Sequence, residues 1–148
     1  MKSQTKKQQL SFKQTLWQES LDDILNVRHK VFMLEQHFDD QVLCDLKDGD
    51  STHIIATNEF DQVIACGRIT DKGSIGRIAV LLPYRGLGIG SQILNRLVDI
   101  AKQQELTKVS INADLENQQF YQNHQFCSAG PVFMRQGVPH QKLALKLA

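Results

Sequence analysis

The stretch that most constrains this chain runs from residue 74 to residue 92 and reads S-I-G-R-I-A-V-L-L-P-Y-R-G-L-G-I-G-S-Q. An apolar run from Ile78 to Leu82 stops at Pro83, and Gly86, Gly88 and Gly90 then lead into a segment of helical periodicity. The order is strand, tight loop, helix start. The first N–H groups of a helix have no intrahelical partner and lie at the positive end of its dipole, so glycines that let an anion approach them make a phosphate site. Arg85 adds a positive charge beside that loop. The ligand this feature calls for is a phosphorylated one.

Spacing separates the common phosphate loops. A Rossmann fingerprint needs glycines at its first, third and sixth positions, but the sixth position is Ser91 counting from Gly86 and Ile93 counting from Gly88. A Walker loop needs a lysine followed by serine or threonine at the helix start, and no lysine stands near Gly90. The strict dinucleotide pattern fails, and ATP and GTP are poor candidates.

Composition sets the frame. A chain of 148 residues with 41% hydrophobic and 22% charged residues is expected to form one domain with a proper core. Its formal net charge of +1 gives no reason to expect nucleic acid or a membrane surface as partner. Residues 1–9, with Lys2, Lys6 and Lys7, read as a solvated tail without the apolar core of a signal peptide. No run approaches the roughly 20 apolar residues of a membrane span, and a cytoplasmic protein is expected. Cys44, Cys66 and Cys127 form no C-x-x-C pair, which argues against a disulfide framework or zinc site and leaves Cys66 as the one thiol in a central strand. No H-x-x-H pattern occurs, so no metal is expected.

The remaining elements follow from periodicity. Residues 10–18 alternate as a first strand, and Ser20 with Asp23 has the form of a capping box ahead of a helix over 20–34. The stretch from Glu35 to Ser51 carries Glu35, Asp39, Asp40, Asp45, Asp48 and Asp50 and reads as a loop, or a short helix plus loop, near the surface. Those acids either line an entrance for a cationic amine or are simply solvated. Strands at 52–58 and 62–70 form a hairpin that continues into the strand from Ser74. Alternation breaks in that strand, so it is either buried on both faces or bulged. Ile89, Ile93, Leu94, Leu97, Ile100 and Ala101 mark an amphipathic helix, and Lys108–Ala113 alternate as a strand, which makes a parallel pair with a right-handed crossover. A short helix from Asp114 and two strands, 127–135 and 140–147, complete an α/β (α+β) fold. Its sheet is mixed and mostly antiparallel, with a central parallel pair flanked by helices.

Arg85, Gly88 and Gly90 in the pattern R-x-x-G-x-G, preceded by A-V-L-L-P-Y, resemble the acetyl-CoA-binding motif of the GCN5-related N-acetyltransferases (GNAT). The order of elements resembles that family's acyl-CoA N-acyltransferase fold along nearly the whole chain. Asn117, Phe120, Tyr121 and Phe126 resemble its second motif, N-x-x-x-F-Y-x-x-x-G-F, with Gln125 in place of the glycine. Arg28-x-x-Val31-Phe32-x-x-Glu35-Gln36 and Gly137-Val138-Pro139-His140 are similar to the small bacterial ElaA-like branch.

The resemblance implies transfer of an acetyl group from acetyl-CoA to an amine, through a tetrahedral oxyanion that expels the CoA thiolate. It assigns the pyrophosphate to Arg85, Gly86, Leu87, Gly88, Ile89, Gly90 and Ser91. Pantetheine and thioester fall to Ile78, Ala79 and Val80, where two parallel strands splay apart, with Asn117 as a further ligand or only a helix-start residue. Tyr121 is the expected acid toward the thiolate, because a phenol and an alkyl thiol have similar proton affinities. A base is also needed, and the fourth-strand glutamate of many relatives is absent from Gly76-Arg77-Ile78. Glu35 is the expected substitute, with His53, His140 and Asp71 behind it. The implied acceptor is a small-molecule or peptide amine and the implied assembly a monomer or homodimer. Two other readings stay open: a non-catalytic acyl-CoA sensor or partner domain, and a site for another phosphorylated ligand.

Overall fold

The computed structural model describes residues 9–40 and 43–147, so the tail expected at 1–9 lies, but for Gln9, outside the described residues. Strand alternation does what the sequence leads one to expect. Strands β1 (Ser11–Leu16), β2 (Thr52–Thr57), β3 (Val63–Ile69) and β4 (Ser74–Val80) pair antiparallel in sequence order. Strand β5 (Lys108–Asp114) lies parallel beside β4, and β7 (Val138–Lys146) inserts between β5 and β6 (Cys127–Arg135). The result is one seven-stranded, mostly antiparallel sheet with a single parallel pair.

Two features of β4 matter most. Between Cys66 and Arg68 of β3 the partner strand advances from Ala79 to Gly76, one residue too many, so β4 is bulged. The bulge includes Arg77, whose φ of 52° is left-handed and unusual for a residue with a side chain. It settles the broken alternation noted above. The parallel pairing with β5 is also brief: only Ser74–Ser110 and Ile75–Ile111 are matched. Beyond Ile75 the two strands part, and the edge of β4 that faces β5 has no partner strand.

Helices cover both faces. The apolar stripe of α2 (Ile89–Gln103) buries Ile93, Leu94, Leu97 and Ala101 against Ile54, Ile64, Ile75 and Val109. Gly67 of β3 lets α2 come this close, since a Cβ there would lie 2.7 Å from Ile93 Cγ2. On the other face, Ile24 and Val27 of α1 (Trp17–Arg28) pack with Val31, Phe32, Ile55, Cys66 and Ala79. Helix α1 begins before the expected capping box. Ser20 sits at a kink (φ −130°, ψ 17°) and its Oγ lies 2.8 Å from Thr15 Oγ. The helix then widens into a π-helical segment, His29–Glu35, that side-chain periodicity does not announce.

Two further readings need correction. The last turn is shorter than expected, because Arg135 already pairs with Val138 and only Gln136 (φ 49°) and Gly137 (φ 78°) remain in the loop. The acidic stretch is also not simply a surface loop. Asp48 is fully buried, receives Arg28 at 2.9 Å and Arg68 at 2.8 Å, and its backbone carbonyl faces His53 Nε2 at 3.0 Å. Asp45 accepts two bonds from Arg68, at 2.7 and 2.8 Å. A hydropathy reading sees acids as solvated, whereas these two neutralise arginines that the fold itself buries.

Removing one member of such a cluster strands the rest. Asp48→Ala is expected to lower stability by about 3–5 kcal/mol in urea unfolding; a loss below about 1 kcal/mol would contradict the cluster's role. Arg68 holds the Asp45 carboxyl down at about 2, and at Asp48 the arginines outweigh the opposing effect of burial and hold it below the ordinary range. Both native values lie below the unfolded ones. The stability they contribute is therefore present above the unfolded carboxylate value of about 4 and is lost as pH falls below it, through about 2 for Asp45. Urea midpoints that stay constant from about pH 5 to about pH 2 would rule this out.

Candidate active site

The glycine loop owes its shape to two left-handed residues, Gly86 (φ 77°) and Gly88 (φ 78°), the second being the N-cap of α2. A Cβ built on either meets nothing within 4 Å, so the space above them is open. The first α2 bond outside the helix proper runs from Gln92 N–H to the Gly88 carbonyl, at 3.1 Å. The N–H groups of Ile89, Gly90 and Ser91 precede it and lack intrahelical partners. Phe120 packs over Gly90, 3.6 Å from where a Cβ would stand. Ser91 Oγ lies 3.0 Å from His124 Nε2, a contact that the sequence reading did not anticipate.

These groups open onto a cavity of about 460 Å³ between the loop, the unpaired edge of β4 and α3 (Gln118–Gln122). Every ligand-binding candidate lines it except Leu87, which is half exposed. Arg85, the positive charge expected beside the loop, is held by two partners. Its Nε donates to the Val80 carbonyl at 2.9 Å, and its two terminal nitrogens grip the Glu35 carboxylate. The pair ties the end of the π-helical segment to the glycine loop.

Glu35 is thereby placed differently from the expected base. Its bonds to Arg85 hold its carboxyl below the usual range, and it lines neither this cavity nor the next. His53 is buried against Asp48 and Trp17, and Asp71 is exposed in the turn before β4; neither lines this cavity or the next. Burial pushes the Cys66 thiol up to about 11, away from nucleophilic use.

A second cavity, of about 480 Å³, lies on the far side of the β4–β5 split. It is bounded by Gly76–Ile78 of β4, by Ile111–Asp114 of β5, by Phe32 and Gln36 below α1, and by Arg135, Gln136 and His140 of the last hairpin. Gln136 bridges it by accepting the Asp39 N–H at 3.1 Å. Four residues line both cavities: Gln36, Ile78, Asn117 and Tyr121.

Tyr121 packs edge-on against Phe120 and Phe126, at 5.0 and 6.1 Å between ring centroids. Burial first, and then the charge of Asp114, raise its phenol above the ordinary value, so it stays protonated. Asn117 serves the helix start, with its N–H and Nδ2 donating to Asp114 at 2.9 and 3.0 Å, while still facing both cavities. His140 is buried, stacked on Phe133, and its Nδ1 lies 2.9 Å from the Val138 carbonyl. A carbonyl only accepts, so Nδ1 carries the hydrogen of this contact, the tautomer that places the lone pair of an imidazole on Nε2. Gln125, the departure from the second motif, has φ 74°, so the position does take the conformation that a glycine would adopt freely.

Among the described residues, no helix is long and apolar enough to cross a membrane, and no group of His, Cys, Asp or Glu is arranged to hold a metal ion.

Comparison with known proteins agrees with this fold. The family model for the acetyltransferase (GNAT) domain matches residues 6–147. The Bacillus subtilis protein YyaT is 29% identical over 137 residues, covering 88% of this chain and 92% of its own. Protein ElaA of Escherichia coli is 29% identical over 129 residues, covering 82% and 84%. The crystal structure of ElaA superposes with a TM-score of 0.81 at 26% identity, over 92% of this chain and 99% of ElaA. An acyl-CoA N-acyltransferase from Pseudomonas aeruginosa gives the same TM-score, identity and coverage. With its split parallel pair, glycine loop and these relatives, the chain belongs to the GNAT acyltransferases and is an ElaA-like member of that superfamily.

Proposed function

We propose that this protein is an N-acetyltransferase that moves the acetyl group of acetyl-CoA to a primary amine by direct attack. The observation that carries this reading is the position of Tyr121 and Ile78, which line both cavities where β4 and β5 part. The first cavity suits the donor: helix-start N–H groups meet the pyrophosphate, and the free edge of β4 at Ile78–Val80 meets pantetheine and thioester. The second suits the acceptor.

The amine arrives protonated at neutral pH and must lose a proton before it attacks. His140 lines the acceptor cavity with Nε2 available and takes that role more readily than Glu35, whose carboxylate is committed to Arg85. The amine nitrogen then bonds to the thioester carbon, and the oxyanion is met by backbone N–H of β4. The C–S bond breaks as the tetrahedral intermediate collapses. The sulfur takes the Tyr121 proton, and the proton lost from nitrogen restores the phenol. The products are an amide and free CoA thiol.

Tyr121→Phe is expected to lower kcat by roughly 10²-fold with little change in acetyl-CoA affinity. His140→Gln should lower kcat/KM by a similar factor, roughly 10²-fold. The assay is thiol release from acetyl-CoA across polyamines, amino sugars, amino acids and peptides; unchanged turnover in either variant removes that residue's role. Acetyl-CoA binding without thiol release on the whole panel would favour the sensor reading. A valine at Gly88 must adopt the left-handed backbone and projects into the open space over the loop. Calorimetry should find acetyl-CoA binding abolished in Gly88→Val while the fold persists, and wild-type affinity would contradict the phosphate loop.

A further inference from the structure

The proposed reaction leaves the arginines of the acceptor cavity without a task. Its wall carries four cations, Lys47, Arg68, Arg77 and Arg135, against two carboxylates, Asp45 and Asp114, a net charge of +2. Arg68 is occupied by Asp45 and Asp48. Arg77 is not matched in this way. Its terminal nitrogen stands 3.5 Å from an Asp45 carboxylate already held by Arg68, and its Nε is buried with no hydrogen-bond partner. Burial, with Arg68 next, brings its guanidinium down to about 10. Arg135, on β6, lines the same cavity and has no carboxylate partner among the described residues. A largely buried guanidinium that shares its one carboxylate and has no acceptor for its Nε, beside a second arginine with no carboxylate partner, is short of an anion.

We propose that Arg77 and Arg135 form an anion subsite, so that the acceptor is an amine that also bears a carboxylate or phosphate group. The amine half of this statement rests on the acetyl-transfer reading above; the anion half rests on the cavity wall. The proposal reverses the cationic acceptor suggested by the acidic stretch. Asp45 and Asp48 are already neutralised by Arg28 and Arg68, so a polyamine would meet a wall of net positive charge.

The test uses matched acceptors in the thiol-release assay: the common amino acids against their carboxamides, and O-phosphoethanolamine against ethanolamine. At least one anionic member should exceed its uncharged partner by about ten-fold or more in kcat/KM. The two sets show whether carboxylate or phosphate is preferred. Arg135 is exposed on the hairpin, so its replacement is compatible with folding. Arg135→Gln should reduce the preference about ten-fold through KM, with Arg135→Lys restoring part of it. Equal losses for both members of a pair would indicate a structural role and overturn the subsite.

Acetylation of uncharged amines or polyamines in preference to every anionic partner would also overturn it, while leaving acetyl transfer standing. If no amine is acetylated, the transfer reading fails by itself, and the subsite is read by binding. The probe is thermal stabilisation of CoA-saturated protein by N-acetylated amino acids and by their carboxamides. Stabilisation by the acids alone supports the subsite; equal stabilisation, or none, overturns it.

Discussion

The site depends on a parallel strand pair that is matched for two residues and then parts. A sheet normally satisfies backbone groups by continuous pairing, and an unpaired edge inside a protein is costly unless something else bonds to it. Here the parting is built in from both sides. The bulge at Arg77 re-aims β4, and β7 captures β5 along its other edge from Lys108 to Asp114. The opening is therefore a fixed wedge, with α2 and the glycine loop at one mouth and the last hairpin at the other.

Polar contacts hold the two sides of the wedge at their positions. Arg28, the first residue of the ElaA-like sequence pattern, is fully buried and anchors the α1 side through Asp48 and the Leu43 carbonyl. Glu35, further along the same pattern, clasps Arg85 of the glycine loop. Gln136 reaches from the hairpin to Asp39. These three ties connect α1 to the acidic stretch, the π-helical segment to the glycine loop, and the residues after that segment to the last hairpin. Arg28 and Glu35, two polar residues of that pattern, thus help to shape the cleft.

Most of the fold was legible because alternation and helical periodicity reflect burial directly. Val109, Ile111 and Ala113 announced β5, and the stripe from Ile93 to Ala101 announced α2. The glycine loop was legible because left-handed φ at Gly86 and Gly88 leaves a mark in composition. What escaped was long-range charge pairing. Asp45 and Asp48 look solvated in sequence because their arginine partners are 20 or more positions away. The pairing of Arg85 with Glu35 escaped for the same reason, since the two lie 50 residues apart. His140 stood in reserve because only the hairpin's fold shows which ring nitrogen is free. The π-helical segment and the left-handed Arg77 carried no compositional mark at all.

The central claim is that acetyl-CoA lies in the wedge, on the edge of β4 and the start of α2. Amide hydrogen exchange with and without acetyl-CoA, with ATP as control, tests it most directly. Protection is expected at Ile78–Val80 and at Gly86–Ser91 with acetyl-CoA and not with ATP. Binding that protects other segments, or no protection by acetyl-CoA, would contradict the account.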